Sequence, residues 1–168
     1  MSKVRRLLRF VFSKQLLSES FSWGIDRNFG RMRPDDSVRN DCRDLPVCEG
    51  VYVQVFWKKM SFGKGPALSL FVLDEEILRI DCFGEAAAHI HAAMFLPNEG
   101  ENRLWMPEAT IPEQIERACF ELYRNHQYYQ CRVPNPQIRA IKIHREKMTG
   151  VSEHAHDLMA GFADGRSL

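Results

Sequence analysis

Residues 49–83 read EGVYVQVFWKKMSFGKGPALSLFVLDEEILRIDCF, and this stretch decides the fold. Its β-branched, aromatic and aliphatic side chains recur at every second position, which is typical of half-buried strands. Short glycine-containing or acidic segments separate three such runs, so consecutive strands are predicted to pair antiparallel. The three predicted strands are residues 49–58, 67–73 and 76–83.

The alternation continues beyond this stretch. Residues 88–95 (AHIHAAMF) are predicted as a fourth strand, although their alanines also favour a helix. Residues 138–144 (IRAIKIH) are predicted as a fifth strand. The predicted sheet therefore has four to five strands.

One long helix is predicted after the strands. Thr110 and Glu113 have the spacing of a capping box, and Pro112 suits a first helical turn. Apolar residues then follow helical spacing over residues 111–130, and a shorter helix is predicted at 151–162. The predicted fold class is α+β, with an antiparallel sheet of four to five strands packed on one main helix and a basic amphipathic N-terminal helix.

The charge is distributed unevenly along the chain. The formal net charge is only +1, but residues 1–18 carry five cationic side chains and no acidic one, which leaves −4 for the remainder. Apolar residues in this segment fall close to one helical face, so residues 1–22 are predicted to form a basic amphipathic helix. The predicted partner-binding residues are Arg5, Arg6, Leu7, Leu8, Arg9, Val11 and Phe12.

Several partners fit this helix. A protein partner or a second copy of the chain is the first interpretation. A membrane surface is the second, since Phe10 and Phe12 could enter the lipid interface while lysine and arginine face anionic head groups. Nucleic acid is the least favoured partner, because no known reader motif accompanies the cations. An arginine-rich, acid-poor segment also fits a transit peptide.

Arginines and aspartates alternate after the helix, and few apolar residues accompany them, so this region is predicted to be a connecting loop. The predicted organisation is a helix at 1–22, a loop at 23–46, an α+β domain at 47–150, and a C-terminal helix and tail at 151–168.

Composition limits the class of protein. Of the 168 residues 45% are hydrophobic, which indicates a globular domain rather than a disordered chain. No apolar run reaches the roughly 18 residues of a membrane span. The five cysteines, an odd number without a Cys-x-x-Cys pair, favour reduced thiols and a cytoplasmic, or membrane-peripheral, location.

The one constellation with the character of a site is His89-Ile90-His91, which follows Asp81 and Cys82. Residues two apart in a strand project from the same face, so two imidazoles could bind one metal ion. Zn, Fe or Mn would suit a site of histidine and carboxylate, and ligation of haem by a histidine is an alternative. The candidate metal ligands are His89, His91, His126 and Glu85.

The order E-x-L-R-x-D-C-F at Glu76–Phe83, followed by His89 and His91, resembles small bacterial domains of unassigned activity, and the resemblance implies no function. The segment Gly84-x4-His89-x-His91 is similar to the first cupin motif. It departs from that motif because the gap between glycine and histidine is one residue short, the following acid Glu99 lies too far on, and no second motif occurs.

Motifs for phosphate binding or nucleophilic catalysis are absent, including G-x-x-x-x-G-K-[ST], G-x-G-x-x-G and G-x-S-x-G. The first functional hypothesis is therefore a non-enzymatic binding or accessory module that docks a protein partner through its N-terminal helix and loop. The second is a metal-binding protein or metal-dependent enzyme that uses the His-x-His strand. The third is a membrane-surface adaptor.

Overall fold

The computed structural model describes residues 39–92 and 103–165, which form six strands and three helices. The strands are β1 (Arg39–Cys48), β2 (Val51–Met60), β3 (Gly63–Val72), β4 (Glu75–Asp81), β5 (His89–His91) and β6 (Arg103–Trp105). The helices are α1 (Ile111–Arg132), α2 (Pro136–Ala140) and α3 (Arg145–Gly165).

The six strands form one antiparallel sheet in which each strand pairs with its neighbour in sequence. Tight turns make this possible. Gly50, with φ of 68°, turns the chain between β1 and β2, while Leu73 and Asp74 take φ of 51° and 63° between β3 and β4. Two consecutive positive φ values match the twist of a two-residue hairpin turn. The predicted α+β class and antiparallel pairing are confirmed.

One face of the sheet packs on the helices. This apolar face consists of alternate strand residues that are almost completely buried, and it joins the inner sides of α1 and α3 in one hydrophobic core. Such burial contributes about 25 cal/mol per Å² of apolar surface and supplies most of the stability of the fold. The apolar face comprises Val51, Val53, Val55, Leu68, Leu70, Leu78, Ile80 and Ile90.

The long helix begins where the sequence predicts. The Thr110 side chain accepts a hydrogen bond from the Glu113 backbone, and the Glu113 carboxylate accepts one from the Thr110 backbone. This capping box satisfies two backbone donors that a helix start leaves open. The second long helix, α3, is joined to α1 by a hydrogen bond from Ser152 Oγ to the Cys119 carbonyl at 3.0 Å.

The sheet is larger than predicted, because β6 has no predicted counterpart and residues 39–46, assigned from the sequence to the connecting loop, belong to β1. This edge strand exposes most of its side chains and contains Pro46. Its pairing with β2 is interrupted twice, and Asp41 has φ of 55°. Bulges and proline are common on edge strands, and together they remove the alternating pattern that reveals a strand in the sequence.

Two further predictions need correction. Residues 138–144 do not form a strand, because Asn135 caps the short helix α2 and Pro136 occupies its first turn. The C-terminal helix begins at Arg145, earlier than predicted, so two long helices cover the sheet rather than one. Within 88–95, β5 occupies only His89–His91, and 93–95 lie outside the described residues, as does the predicted N-terminal helix. No helix that the structure describes is both long and apolar enough to cross a membrane.

Candidate metal centre

The side of the sheet that faces away from the helices is polar and yet buried. This polar face is formed by alternate residues of β2 to β5, and its charged and histidine side chains are nearly inaccessible to solvent. Residues that are directly opposite on neighbouring strands project to the same side, so pairing between strands brings distant residues together. Two rows cross from β4 to β6, namely Asp81–His89–Trp105 and Arg79–His91–Arg103.

Three donor atoms converge within these rows. His89 Nε2 and His91 Nε2 are 2.9 Å apart. Asp81 Oδ2 lies 3.3 Å from His89 Nε2 and 3.5 Å from His91 Nε2. An ion bound at about 2.0–2.1 Å requires donors about 2.9–3.4 Å apart, depending on whether its geometry is octahedral or tetrahedral. The three atoms therefore have the spacing of the ligands of one small metal ion.

The hydrogen bonds around the two imidazoles determine which nitrogens can bind a cation. His89 Nδ1 is 2.8 Å from the Ala87 carbonyl, which can only accept, so Nδ1 carries the hydrogen and the neutral ring presents a lone pair at Nε2. His91 Nε2 is 2.9 Å from Arg79 Nη2, which can only donate, so this nitrogen accepts that hydrogen bond with its single lone pair, and a metal ion bound there would have to replace the bond. Three acceptors thus face one another, and the cations of Lys58 and Arg79, a proton or a metal ion can stabilise that arrangement.

Burial and neighbouring charges determine the protonation states of His91 and Asp81. The pKa of His91 is lowered to about 4, mainly because burial disfavours the imidazolium, and so the ring is neutral at pH 7. Burial alone would raise the pKa of Asp81, but the adjacent His89 and His91 and the positive charges of Arg79 and Lys58 hold it well below its usual value. A neutral imidazole and an ionised carboxylate are the forms that bind metal.

The two carboxylate oxygens of Asp81 differ in their hydrogen bonding. Lys58 Nζ donates to Asp81 Oδ2 at 2.8 Å, and burial lowers the pKa of Lys58 although Asp81 acts against this shift. Asp81 Oδ1 is buried without a hydrogen-bond partner among the described residues. A buried carboxylate oxygen without a partner loses the full free energy of its hydration, so this atom is a further candidate ligand.

A second network of polar side chains supports the site from β1 and β3. Arg39 Nη2 binds Glu76 Oε1 at 2.8 Å, Arg39 Nη1 binds Ser69 Oγ at 3.2 Å, and Ser69 also donates to Glu76. Glu76 Oε2 lies 3.6 Å from Arg79 Nη1. The network therefore fixes the guanidinium that contacts His91.

The structure brings together two of the four predicted ligands. His89 and His91 share the polar face as the His-x-His spacing predicts. Glu85 is exposed in the turn between β4 and β5. His126 lies on α1, where its Nδ1 contacts the Leu122 carbonyl at 3.0 Å. The described group of possible ligands consists of Asp81, His89 and His91, without His126 or Glu85.

Sequence reasoning noted Asp81 but did not choose it as a ligand. The signal that could have identified it is the alternation in β4, which places Arg79 and Asp81 on the side opposite Ile80 and Cys82. Cys82 belongs to the apolar core and is fully buried, which raises the pKa of its thiol well above the usual value. Lys58 carried no signal, because it reaches Asp81 from two strands away.

Comparison with known proteins adds no relative. No family model matches this chain, and no curated protein or solved structure is significantly similar to it. The local resemblance at residues 76–91 therefore receives no support, and functional argument rests on the site itself.

Proposed function

We propose that the chain binds one divalent transition-metal ion through Asp81, His89 and His91 and acts as a metal-dependent enzyme. The observation that carries the proposal is the convergence of three buried acceptor atoms within 2.9–3.5 Å of one another. Lone pairs at this distance repel unless a proton or a metal ion lies between them.

The donor set indicates catalysis rather than a structural role. Structural zinc sites are usually closed by four protein ligands, whereas catalytic sites keep a coordination position for water or substrate. Two histidines and one carboxylate leave such positions open, and they suit Zn, Fe or Mn. The bond from His89 Nδ1 to the Ala87 carbonyl supports this role, because metal-bound histidines usually donate their second nitrogen to an oxygen.

Metal content tests the proposal. Protein without a histidine tag is purified, analysed by mass spectrometry for bound metals, stripped with a chelator and titrated calorimetrically with Zn²⁺, Mn²⁺ and Fe²⁺. We expect one ion per chain, and we expect His89→Gln to weaken binding at least 100-fold because one of three ligands is lost.

The matched control is His154→Gln, which changes an exposed histidine on α3 and should leave the affinity unchanged. A stoichiometry near zero for all three metals, or equal affinities for wild type and His89→Gln, would contradict the proposal.

A specific observation favours a second candidate, acid–base catalysis by the same cluster without a metal. Lys58 and Arg79 already supply cations next to the acceptor atoms, and a proton on His89 Nε2 would satisfy His91 or Asp81. Buried histidine, lysine and carboxylate side chains within hydrogen-bond reach of one another are the groups that general acid–base catalysis uses.

Lys58→Met separates the two candidates. In a metal site, removal of a neighbouring ammonium should strengthen metal binding at least 10-fold, because repulsion between the two cations disappears. In a metal-free acid–base site, neither wild type nor Lys58→Met should bind metal.

Docking of a protein partner or a second copy through residues 1–22 stays a prediction from the sequence. Its support is the excess of five positive charges over residues 1–18, a segment with apolar residues along one helical face. Removal of residues 1–22 should leave a folded domain that no longer self-associates or binds its partner, as measured by light scattering. Unchanged assembly would rule out this role.

A further inference from the structure

Two exposed aromatic side chains lie beside the candidate metal centre. Trp105 is 60% exposed and its ring centroid is 5.4 Å from that of His89. Phe62, in the turn between β2 and β3, is 45% exposed and its ring centroid is 6.2 Å from that of His89. Large aromatic side chains that remain in solvent next to a buried polar cluster provide flat apolar surfaces on which a planar ring can stack.

Arg103 joins these aromatic residues at the same edge of the sheet. It is directly opposite His91, and its guanidinium lies 5.3 Å from the centre of the Phe62 ring. Its Nε is buried without a hydrogen-bond partner in the part of the chain that the structure describes. The residue as a whole is partly exposed, and a guanidinium is suited to binding an oxyanion, above all the oxygens of a phosphate.

The charges around the centre also favour an anion. Among residues 39–92 and 103–165, four cationic side chains project on this side of the sheet, whereas its buried carboxylates are Glu76 and Asp81. A divalent ion would add two more positive charges. The four cationic residues are Arg39, Lys58, Arg79 and Arg103.

We propose that the ligand of this centre is a nucleoside monophosphate, with its base stacked on Trp105 and its phosphate bound by Arg103 and the metal ion. Trp105 is suited to stack on a planar ring and Arg103 is suited to bind an anion, so a small molecule that carries both groups would use the two residues together. A nucleotide combines these two groups at the spacing of one ribose. The inference rests on the proposed metal function, because the ion supplies part of the phosphate binding.

The test compares ligands that contain one or both groups. The full-length protein, loaded with one zinc ion, is titrated calorimetrically with AMP, GMP, CMP and UMP, with the corresponding nucleosides, and with inorganic phosphate. We expect at least one nucleotide to bind 10-fold or more tightly than its nucleoside and than phosphate.

Two variants assign the groups. Trp105→Ala should weaken nucleotide binding about 5- to 100-fold, the usual range for loss of a base stack, and leave phosphate binding unchanged. Arg103→Gln should weaken binding of both nucleotide and phosphate. Tyr128→Ala, which changes an aromatic residue on α1 with 54% exposure, is the control and should change neither.

Different experimental results would overturn the nucleotide inference and the proposed metal function. An absence of bound zinc overturns the metal function. If zinc is bound, the nucleotide assignment is overturned when no nucleotide binds more tightly than phosphate, or when Trp105→Ala binds nucleotide as tightly as wild type.

Discussion

The two faces of the sheet are made by the same strands but differ in chemistry. On the apolar face, Leu70 and Ile80 pack against α1 and α3 in a continuous core. On the polar face, Asp81, His89 and His91 are buried to the same degree, although each carries charge or hydrogen-bonding capacity. Burial stabilises the apolar side chains, whereas it costs free energy for every polar group that is not fully paired.

This difference indicates where the fold is stabilised and where function lies. A buried ion pair such as Lys58–Asp81 contributes little net stability, because desolvation of the two charges offsets their attraction. A fold that needed only stability would be served as well by apolar residues at these positions. The proposed metal binding would account for the polar face, and the predictions below separate stability from binding.

The largest effect is expected for Asp81→Ala in metal-free protein. The substitution leaves the Lys58 ammonium buried without its counter-charge, which should lower the free energy of unfolding by about 3–5 kcal/mol. Denaturant unfolding at pH 7 measures this change. The double variant Lys58→Met/Asp81→Leu removes both charges and should recover most of the loss without restoring metal binding. A single-variant cost below about 1 kcal/mol would contradict burial of the pair.

The apolar face should give the opposite outcome. Leu70→Ala creates a cavity beneath the helices and should lower the free energy of unfolding by about 2–5 kcal/mol. Metal stoichiometry under folding conditions should remain one ion per chain, because Leu70 projects away from Asp81 and the histidines. Loss of the metal from a folded Leu70→Ala protein would mean that the two faces are coupled.

Acidification should lower the free energy of unfolding by a smaller amount for each pH unit than the two substitutions do. The pKa of His91 is about 4 in the folded protein and about 6.5 in an unfolded chain, so between these values only the unfolded chain binds the proton. The contribution of His91 to stability is therefore complete above pH 6.5 and is lost as the pH falls toward 4. The slope should be about 1.4 kcal/mol per pH unit.

The control for this slope is His91→Gln, measured in the presence of a chelator. Glutamine does not titrate, so the variant should lose less stability than wild type between pH 6.5 and pH 4. Asp81 contributes in the same direction below about pH 4, because the pKa of its carboxyl is held well below the usual value. Identical slopes for the two proteins would show that His91 is not buried as a neutral ring.

Much of the sheet could be predicted from the sequence because it depends on local patterns. The alternation in β2, β3 and β4 is regular, and the capping box at Thr110 and Glu113 determines where α1 begins. β1 was missed because Pro46 and two register shifts break its alternation. Such an edge strand forms because its backbone pairs with β2, and the local propensity of its residues for a strand does not determine it.

The site could be predicted only in part, because its third ligand depends on register between strands. His89 and His91 share a face through spacing alone, whereas Asp81 faces His89 only because the turn after β4 aligns the two strands. That turn requires positive φ at Gly84 and Ala86, which the sequence does not reveal for an alanine. The sequence instead points to Glu85 as a nearby carboxylate, and the structure exposes its side chain in the turn.

The most direct test of the account is a crystal structure of the metal-loaded protein with anomalous diffraction recorded at the absorption edge of the metal. The account predicts one anomalous peak per chain, about 2.0–2.2 Å from His89 Nε2, from His91 Nε2 and from a carboxylate oxygen of Asp81. A fully loaded crystal with its peak at other residues, or a crystal without any peak and with Lys58 still bound to Asp81, would contradict it.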